Sequence, residues 1–486
     1  MLALTAPTFD QILDDYYQQI GWLYALVTDP TGDRIFKDKS PAVQKQEQGE
    51  RLARTADFLD FAGNPQSHYP SIHVAGTSGK GSVVTMMAEM LTAAGYRTGR
   101  HISPYLQLCN EKLVVDGRMV SPSGFTRAVR RLARIHTDWV RARRPFNDLR
   151  YGEAWVALTY LWFAWQRVDW AVMETGLGGR FDPSNVLPAS LAVLTNVNYD
   201  HLKSLGPELT RIAWHKAGII KAGSPAVTAE SNPAVLDIFQ AEADRRQSPL
   251  YRLGRDFDYT VEQRSQQRAV VSVRGPFGYY PHLELAAPGR FQLDNAALAV
   301  AGLDVLAAQG KINLTPDVVR ETLARYSFSG RVEIVQQQPL VILDGAHNPH
   351  KIGALVEGIQ AGYPAKKITV LLGMMRVKDA HKMVQALLPL ASRFIVSAPR
   401  VFGKISFDPT ELADIIRHYA PEVEVHVQPT VRQAVEFGLH LLHDDELLLV
   451  AGSIYLAGEA RDYWFPPAEL LKNLEYNQTG VFESEE

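Results

Sequence analysis

Lys80 and Ser82 close the stretch IHVAGTSGKGS (72–82), an apolar run that passes straight into a glycine loop. Gly76, Thr77, Ser78, Gly79 and Gly81 form a backbone whose N–H groups can turn toward an anion. Lys80 adds a point charge and Ser82 a hydroxyl able to reach Mg²⁺. The chemistry is that of a polyphosphate cradle. Only Thr77 and Ser78 separate Gly76 from Gly79, and Gly81 stands between lysine and hydroxyl. Both spacings depart from the common nucleotide loop. The bland alternative is a tight glycine-rich turn. Against it, a buried-type strand precedes the loop, and Val83, Met86, Met90 and Leu91 follow at helical spacing before Gly95.

Other acids and imidazoles fall at strand ends. Glu174 closes the apolar run DWAVME and is followed by TGLGGR. In an open α/β sheet that edge is where ligands bind, and a carboxylate there can hold Mg²⁺. Asp200-His201 follows LAVLTNV, so His201 offers a borderline metal ligand and implies a second, less typical metal position. Lys216, in WHKAGIIK, reads alone as a solvated helix lysine. In the second half, Asp344 and His347 follow PLVIL, and Ser453 and Tyr455 follow ELLLVAG. Two half-sites on two domains predict a cleft that closes on nucleotide and substrate.

The elements that position these residues alternate short apolar strands with amphipathic helices, which predicts an α/β fold with a mostly parallel sheet. A stretch from about Leu250 to Leu285 alternates polar and apolar residues and reads as a small antiparallel β region. The βα rhythm restarts near Val332, after the turn residues YSFSGR. The expected domains are therefore 1–329, with a helical lead-in over 1–70, a smaller C-terminal Rossmann-like α/β domain over 330–475, and a tail over 476–486. The polar stretch 28–50 is expected to be a mobile loop, and Arg127–Arg144 the basic, solvated face of a helix. With 50 Lys+Arg against 53 Asp+Glu, bulk charge points to neither nucleic acid nor an acidic membrane. One cysteine, Cys109, excludes an intramolecular disulfide and fits a cytoplasmic protein.

In order along the chain, IHVAGTSGKGS, HISPYLQLCNEKL, ETGLGGRFDPSN, TNVNYDHLKSLG, KAGIIK, PGRFQLDNAALA, SGRVEIV, LDGAHNPH and AGSIYLAGEAR resemble the folylpolyglutamate synthase/dihydrofolate synthase family, within the Mur-type ATP-dependent amide ligases. The resemblance implies ATP, two Mg²⁺ positions, L-glutamate and a folate or dihydropteroate-type acceptor, joined through an acyl phosphate by a monomeric enzyme. It implies that Lys80 and Ser82 meet the phosphates. Ser82, Ser103 and Glu174 would belong to the first metal position, and Glu174, His201 and Lys216 to the second. Lys216 is carbamylated in such enzymes, since an ammonium cannot ligate a cation. Asn295 and Arg331 resemble nucleotide contacts, Arg331 facing the developing phosphoryl charge. Asp344, His347, Ser453 and Tyr455 would line the C-terminal side, touching nucleotide and amino acid. Ser78, Tyr105, Lys112 and His215 depart from the residues usual at their places. Arg150–Trp165 replaces the usual helix start near the pterin end, which leaves the acceptor open. A Mur-type ligase for a non-folate carboxylate is the competing reading. A phosphate-loop kinase or a non-catalytic nucleotide-binding protein would lack a use for the full residue set.

Overall fold

A computed structural model describes residues 7–36, 41–265, 268–285, 290–364 and 366–477. Its centre is the strand Ser71–Ala75, buried at every position. Such a run, apolar on both faces, forms where helices cover both sides of a parallel sheet. It lies between Trp170–Glu174 and Leu191–Leu194, both parallel to it. The full eight-stranded order is Arg118–Met119, Val114–Val115, Thr98–His101, Trp170–Glu174, Ser71–Ala75, Leu191–Leu194, Ala226–Thr228, Leu250–Arg252. The register pairs Val74 with Glu174, Ala75 with Leu194 and His101 with Met173. The segments beginning at Gly76, Thr175, Thr195 and Ile102 therefore leave the sheet at one edge.

The helix Lys80–Ala93 buries Val83, Val84, Met86, Met87, Met90 and Leu91 together. It packs between the sheet and the helix Arg290–Ala308. The window Phe291–Ala308 is long and apolar enough to cross a membrane, but 78% of it is buried inside the protein, as in a core helix. On the opposite sheet face the lead-in helices Phe9–Ala25 and Pro41–Phe61 meet the aromatic helix Tyr151–Trp165. There Arg54 binds Glu153 with two hydrogen bonds of 2.8 and 2.9 Å, a buried charge pair that fixes the start of that helix.

A second sheet has the order Glu333–Gln337, Leu340–Leu343, Leu447–Ala451, Ile368–Leu372, Arg393–Val396, Glu424–Val427. Its first strand is antiparallel and the others are parallel. Leu343 pairs with Val450, so Asp344 and Gly452 emerge side by side.

Three details differ from the sequence expectations. Within the polar stretch 28–50, residues from Pro41 onward are helical, because Pro at the first helical position leads into strong helix formers; residues 37–40 lie outside the described residues. Leu250–Arg252 joins the large sheet in parallel, so the antiparallel sheet contains only Asp258–Arg264, Ala269–Arg274 and Tyr279–Leu285. The last helix, Pro467–Tyr476, packs back on Pro122–Arg141, with Leu471 in that cluster and the Ser123 amide donating to Glu475 at 2.9 Å. The expected tail lies outside the described residues from 478 on. So do Pro288 and Gly289 of the PGRFQLDNAALA segment.

The two halves meet closely at Gly458, in the helix Ile454–Arg461. A Cβ there would lie 1.9 Å from the Leu106 carbonyl oxygen. Beside it Arg461 donates to Glu333 at 3.0 Å and to Gln107 at 2.6 Å. Gly458→Ala is expected to cost about 1–3 kcal/mol of unfolding free energy, since a backbone atom has no rotamer into which to retreat. A urea melt reads this directly, and wild-type stability would show the seam to be loose.

Candidate active site

The glycine loop is shaped by the chain that leaves the neighbouring strand. The Thr77 amide donates to the Asn196 carbonyl at 2.8 Å and the Ser78 amide to Asn196 Oδ1 at 2.9 Å. Thr195 Oγ1 donates to the Ser78 carbonyl at 2.6 Å, and the Asn198 amide donates to Thr77 Oγ1 at 2.9 Å. A Cβ at Gly76 would sit 1.7 Å from Thr195 Oγ1. At Gly79, whose φ of +81° disfavours other residues, it would sit 2.2 Å from Asn295 Oδ1. The glycines are therefore required by close approach on both sides. Gly79 also caps the helix Lys80–Ala93, which directs that helix's N-terminus at the cradle.

Lys80 Nζ donates to the Gly76 carbonyl at 3.2 Å and lies 3.6 Å from Glu174 Oε1. The other oxygen of Glu174 accepts from the Ser103 amide at 3.1 Å. Ser82, Ser103, Glu174, His201 and Lys216 all line one cleft with Gly76–Gly81 and Asn295. Among the described residues no three His, Cys, Asp or Glu side chains converge as a metal-binding group. The donor set is instead one carboxylate with hydroxyls, which suits Mg²⁺ held largely by phosphate oxygens and water. Lys216 lies on the helix Leu209–Ala217 and is only 4% exposed. Burial, reinforced by Lys80, holds its ammonium well below the usual lysine range. The neutral amine so favoured is the form able to take up CO₂ as a carbamate. His201 is likewise pushed down to about 4, by burial first and then by Lys378, Lys80 and Lys216, with Asp200 opposing. Its ring nitrogens thus stay neutral, as a ligand requires.

The opposite wall belongs to the second sheet. Asp344 Oδ2 accepts from the Val332 amide at 2.9 Å and Oδ1 from the Ala346 amide at 2.7 Å. Burial raises its pKa despite Arg331 and these two amides. Arg331 lies across Gly345, where a Cβ would come within 2.3 Å of its Nη1. His347 Nδ1 donates to the Gly345 carbonyl at 2.8 Å, which leaves Nε2 as the acceptor of a 3.1 Å hydrogen bond from Lys351 Nζ. Arg331, Asp344 and His347 line the same cleft as the glycine loop. The arrangement is a two-walled cation-rich slot, with an anion cradle on one side and acid, imidazole and guanidinium on the other.

The family profile for the Mur ligase, glutamate ligase domain matches residues 330–454. The Bacillus subtilis dihydrofolate synthase/folylpolyglutamate synthase is 30% identical over 420 residues, spanning 84% of this chain and 94% of that protein. The Lacticaseibacillus casei folylpolyglutamate synthase is 32% identical over 421 residues, spanning 85% and 95%. This chain belongs to the folylpolyglutamate synthase/dihydrofolate synthase family. A Mycobacterium tuberculosis folylpolyglutamate synthase crystallised with ADP and AMPPCP superposes with a TM-score of 0.82 at 28% identity, covering 93% of this chain and 99% of that one. A complex of such a synthase with AMPPCP and folate gives 0.76 at 28% identity, covering 93% and 99%.

Within this folylpolyglutamate synthase-type cleft, Ser453 and Tyr455 are not among the lining side chains. Ser453 is spent on capping its own helix, its Oγ accepting from the Tyr455 amide at 3.2 Å. Tyr455 turns away and takes its hydroxyl hydrogen bond from Lys404, whose ammonium also sits 4.6 Å from the ring centroid. The helical turn that begins at Ile454 carries both side chains off the cleft lining. Among the charged residues at or beside the site, Asp200, Lys351 and Lys378 were not singled out from sequence as site residues. Lys351 stands in the first turn of the helix that begins two residues after His347; Lys378 follows the strand Ile368–Leu372 by a short loop.

Asp200 ties the walls together. It accepts from Lys378 at 2.9 Å and Asn348 at 3.4 Å, and it lies 3.9 Å from the rings of both His201 and His347. Burial alone would raise its pKa, but His201, Lys378 and His347 outweigh burial and hold the carboxyl well below the usual range. A depressed carboxyl contributes stability that is complete above its unfolded pKa and is lost as pH falls through that value toward the folded one. Asp200→Asn should therefore destabilise by roughly 1–3 kcal/mol at neutral pH. The gap to wild type should shrink as pH drops below about 4, where the unfolded aspartate protonates. Parallel denaturant melts at the two pH values measure it, and a pH-independent gap would contradict the charge assignment.

Proposed function

We propose that this chain is an ATP-dependent ligase that joins L-glutamate to a folate-type carboxylate through an acyl phosphate. The observation that carries the reading is the facing of the Gly76–Ser82 cradle and the Arg331–Asp344–His347 wall across a single cleft. The relatives' names and the AMPPCP and folate complexes support ATP and a folate-type acceptor as its substrates.

In this reading the cradle amides and Lys80 hold the triphosphate, and Asn295, against Gly79, flanks the nucleotide. Arg331 meets charge that builds on the phosphoryl group as it passes to the acceptor carboxylate. Two Mg²⁺ positions, formed from Ser82, Ser103 and Glu174 and from Glu174, His201 and carbamylated Lys216, would supply charge neutralisation between carboxylate and phosphate. His347, with Nε2 toward the slot, and Asp344 then serve the incoming amine as it displaces phosphate. Ser453 and Tyr455, at the start of the helix Ile454–Arg461, would serve the C-terminal side toward nucleotide and amino acid, as the family resemblance implies.

An aromatic cluster next to the cleft-lining Ser103 and Pro104 is the place this reading gives to a flat acceptor. Tyr24 stacks on Phe402 with centroids 4.7 Å apart and on Tyr151 at 5.9 Å, and its hydroxyl meets that of Tyr105 at 3.4 Å. Buried Lys112 sits 5.4 Å from the Trp155 ring centroid nearby. Of these, Tyr105 and Lys112 are departures from the family pattern and Tyr151 and Trp155 lie in the altered segment Arg150–Trp165, so the acceptor's ring system is where this enzyme would differ from its relatives. We further propose units of 1–329 and 330–475, in keeping with the two separate sheets, a monomer, as the family resemblance implies, and a cytoplasmic location, with which the lone cysteine fits.

Purified protein with ATP, Mg²⁺ and glutamate should release phosphate only when a pteroate or folate acceptor is added. Turnover with a non-folate carboxylate and none with pteroyl acceptors would transfer the assignment to another Mur-type ligase. Lys216→Ala should lower turnover by about tenfold to a hundredfold, as loss of metal-site support does. Short carboxylic acids that fit the vacated space should restore part of it. Failure of every such acid to do so would argue for an unmodified amine at this position.

A further inference from the structure

Lys351 is the cation in the cleft that no assigned role uses. It lies in the first turn of the helix Pro349–Gly362 and lines the slot with the glycine loop. Its ammonium bonds a neutral nitrogen, His347 Nε2, at 3.1 Å. Among the described residues it forms no ion pair with a carboxylate. Three cations act on it, Lys80, Arg331 and Lys378, against the carboxylates of Asp200 and Asp344, neither of which pairs with it directly. Asp200 is already engaged by Lys378 at 2.9 Å. A flexible lysine that feels both Lys80 and Arg331, without an acid of its own, faces a place built for an anion with more than one charge.

The geometry points to Lys351 as a third cationic contact to the γ-phosphoryl group of ATP, carried by the wall opposite the cradle. This rests on the ATP-dependent reading above and adds a residue to it. Lys80 approaches the phosphoryl group from the loop side and Arg331 from the inter-domain turn. Lys351 completes the ring from the C-terminal helix, with the His347 hydrogen bond holding its stem in place. In the step itself an acceptor carboxylate oxygen bonds to the γ-phosphorus as the bridging P–O bond breaks, and the electron pair leaves with ADP. Lys351 gives up no proton; it offsets charge on the phosphoryl oxygens throughout. Burial and then the Lys80 and Arg331 charges push the lysine down to about 7. An arriving phosphate would reverse that shift.

The alternative owner of such a cation is a carboxylate of the incoming amino acid, and nucleotide binding separates the two. Calorimetric titration of the intact chain with AMPPCP and with ADP requires no acceptor, so it stands whichever carboxylate the enzyme uses. Lys351→Met should weaken AMPPCP by about tenfold or more while ADP changes less than about threefold, the size of one charged hydrogen bond. Lys351→Arg should stay near wild type. Lys351→Gln keeps the hydrogen bond to His347 but not the charge, and should bind AMPPCP as poorly as the methionine variant. Equal AMPPCP affinity in wild type and both neutral variants would overturn the assignment, as would a raised glutamate KM as their only defect. Wild-type behaviour of Lys351→Gln beside a defective Lys351→Met would also overturn it, leaving Lys351 as a support for His347.

Discussion

The parallel register of four strands is the constraint on which everything else rests. Thr98–His101, Trp170–Glu174, Ser71–Ala75 and Leu191–Leu194 run the same way and stop at nearly the same level. Hydrogen bonding between parallel strands leaves little freedom in this alignment, because a slip of one residue would turn buried side chains out of the core. The loop at Gly76, the carboxylate of Glu174, the segment Thr195–His201 and Ser103 are thus neighbours by construction. The backbone bracing of the glycine loop by Thr195 and Asn196 is a local result of the same alignment. The second sheet repeats the device with Leu343 and Val450, which places Asp344 beside Gly452.

Electrostatics then decides what the slot welcomes. Lys80, Lys216, Arg331 and Lys351 all line it, and Glu174, Asp200, Asp294 and Asp344 are the acids that share it. Burial works against each ammonium, and Lys216 and Lys351 respond by losing proton affinity. An anion brought in beside these two lysines would favour their charged forms again. The Asp200–Lys378 pair is the exception: it is satisfied within the protein and joins the walls before any ligand arrives.

Much of this was legible in the sequence where apolar runs end in polar residues. The strands before Gly76, Glu174, Thr195 and Asp344 are short, apolar and bounded by turn residues, so their ends could be located to a residue or two. The glycine loop carried its own chemistry in its spacing. Side-chain direction just beyond a strand was less legible. Ser453 and Tyr455 follow the strand Leu447–Ala451 as expected, yet the onset of a helix at Ile454 points them elsewhere. Lys351 and Lys378 were hidden because a lone lysine near a helix start has the pattern of a solvated residue, and only convergence in space gives it neighbours. The lead-in helix from Pro41 was missed because its polar run lacks a strong apolar stripe, and it gains its stability from the Arg54–Glu153 pair and the aromatic cluster.

The central sheet also divides the protein into two layers that share no side chains. Along Trp170–Glu174, Trp170 and Val172 enter the cluster around the helix Lys80–Ala93, whereas Ala171 and Met173 enter the aromatic cluster of Tyr151–Trp165. Alternation along one strand thus insulates the two compartments from each other. Mutations can accumulate in the aromatic layer, reshaping what rests against Tyr24, Tyr105 and Trp155, without shifting the packing beneath the glycine loop. Such a sheet would let the region proposed for the acceptor diverge while the packing under the phosphate cradle is kept.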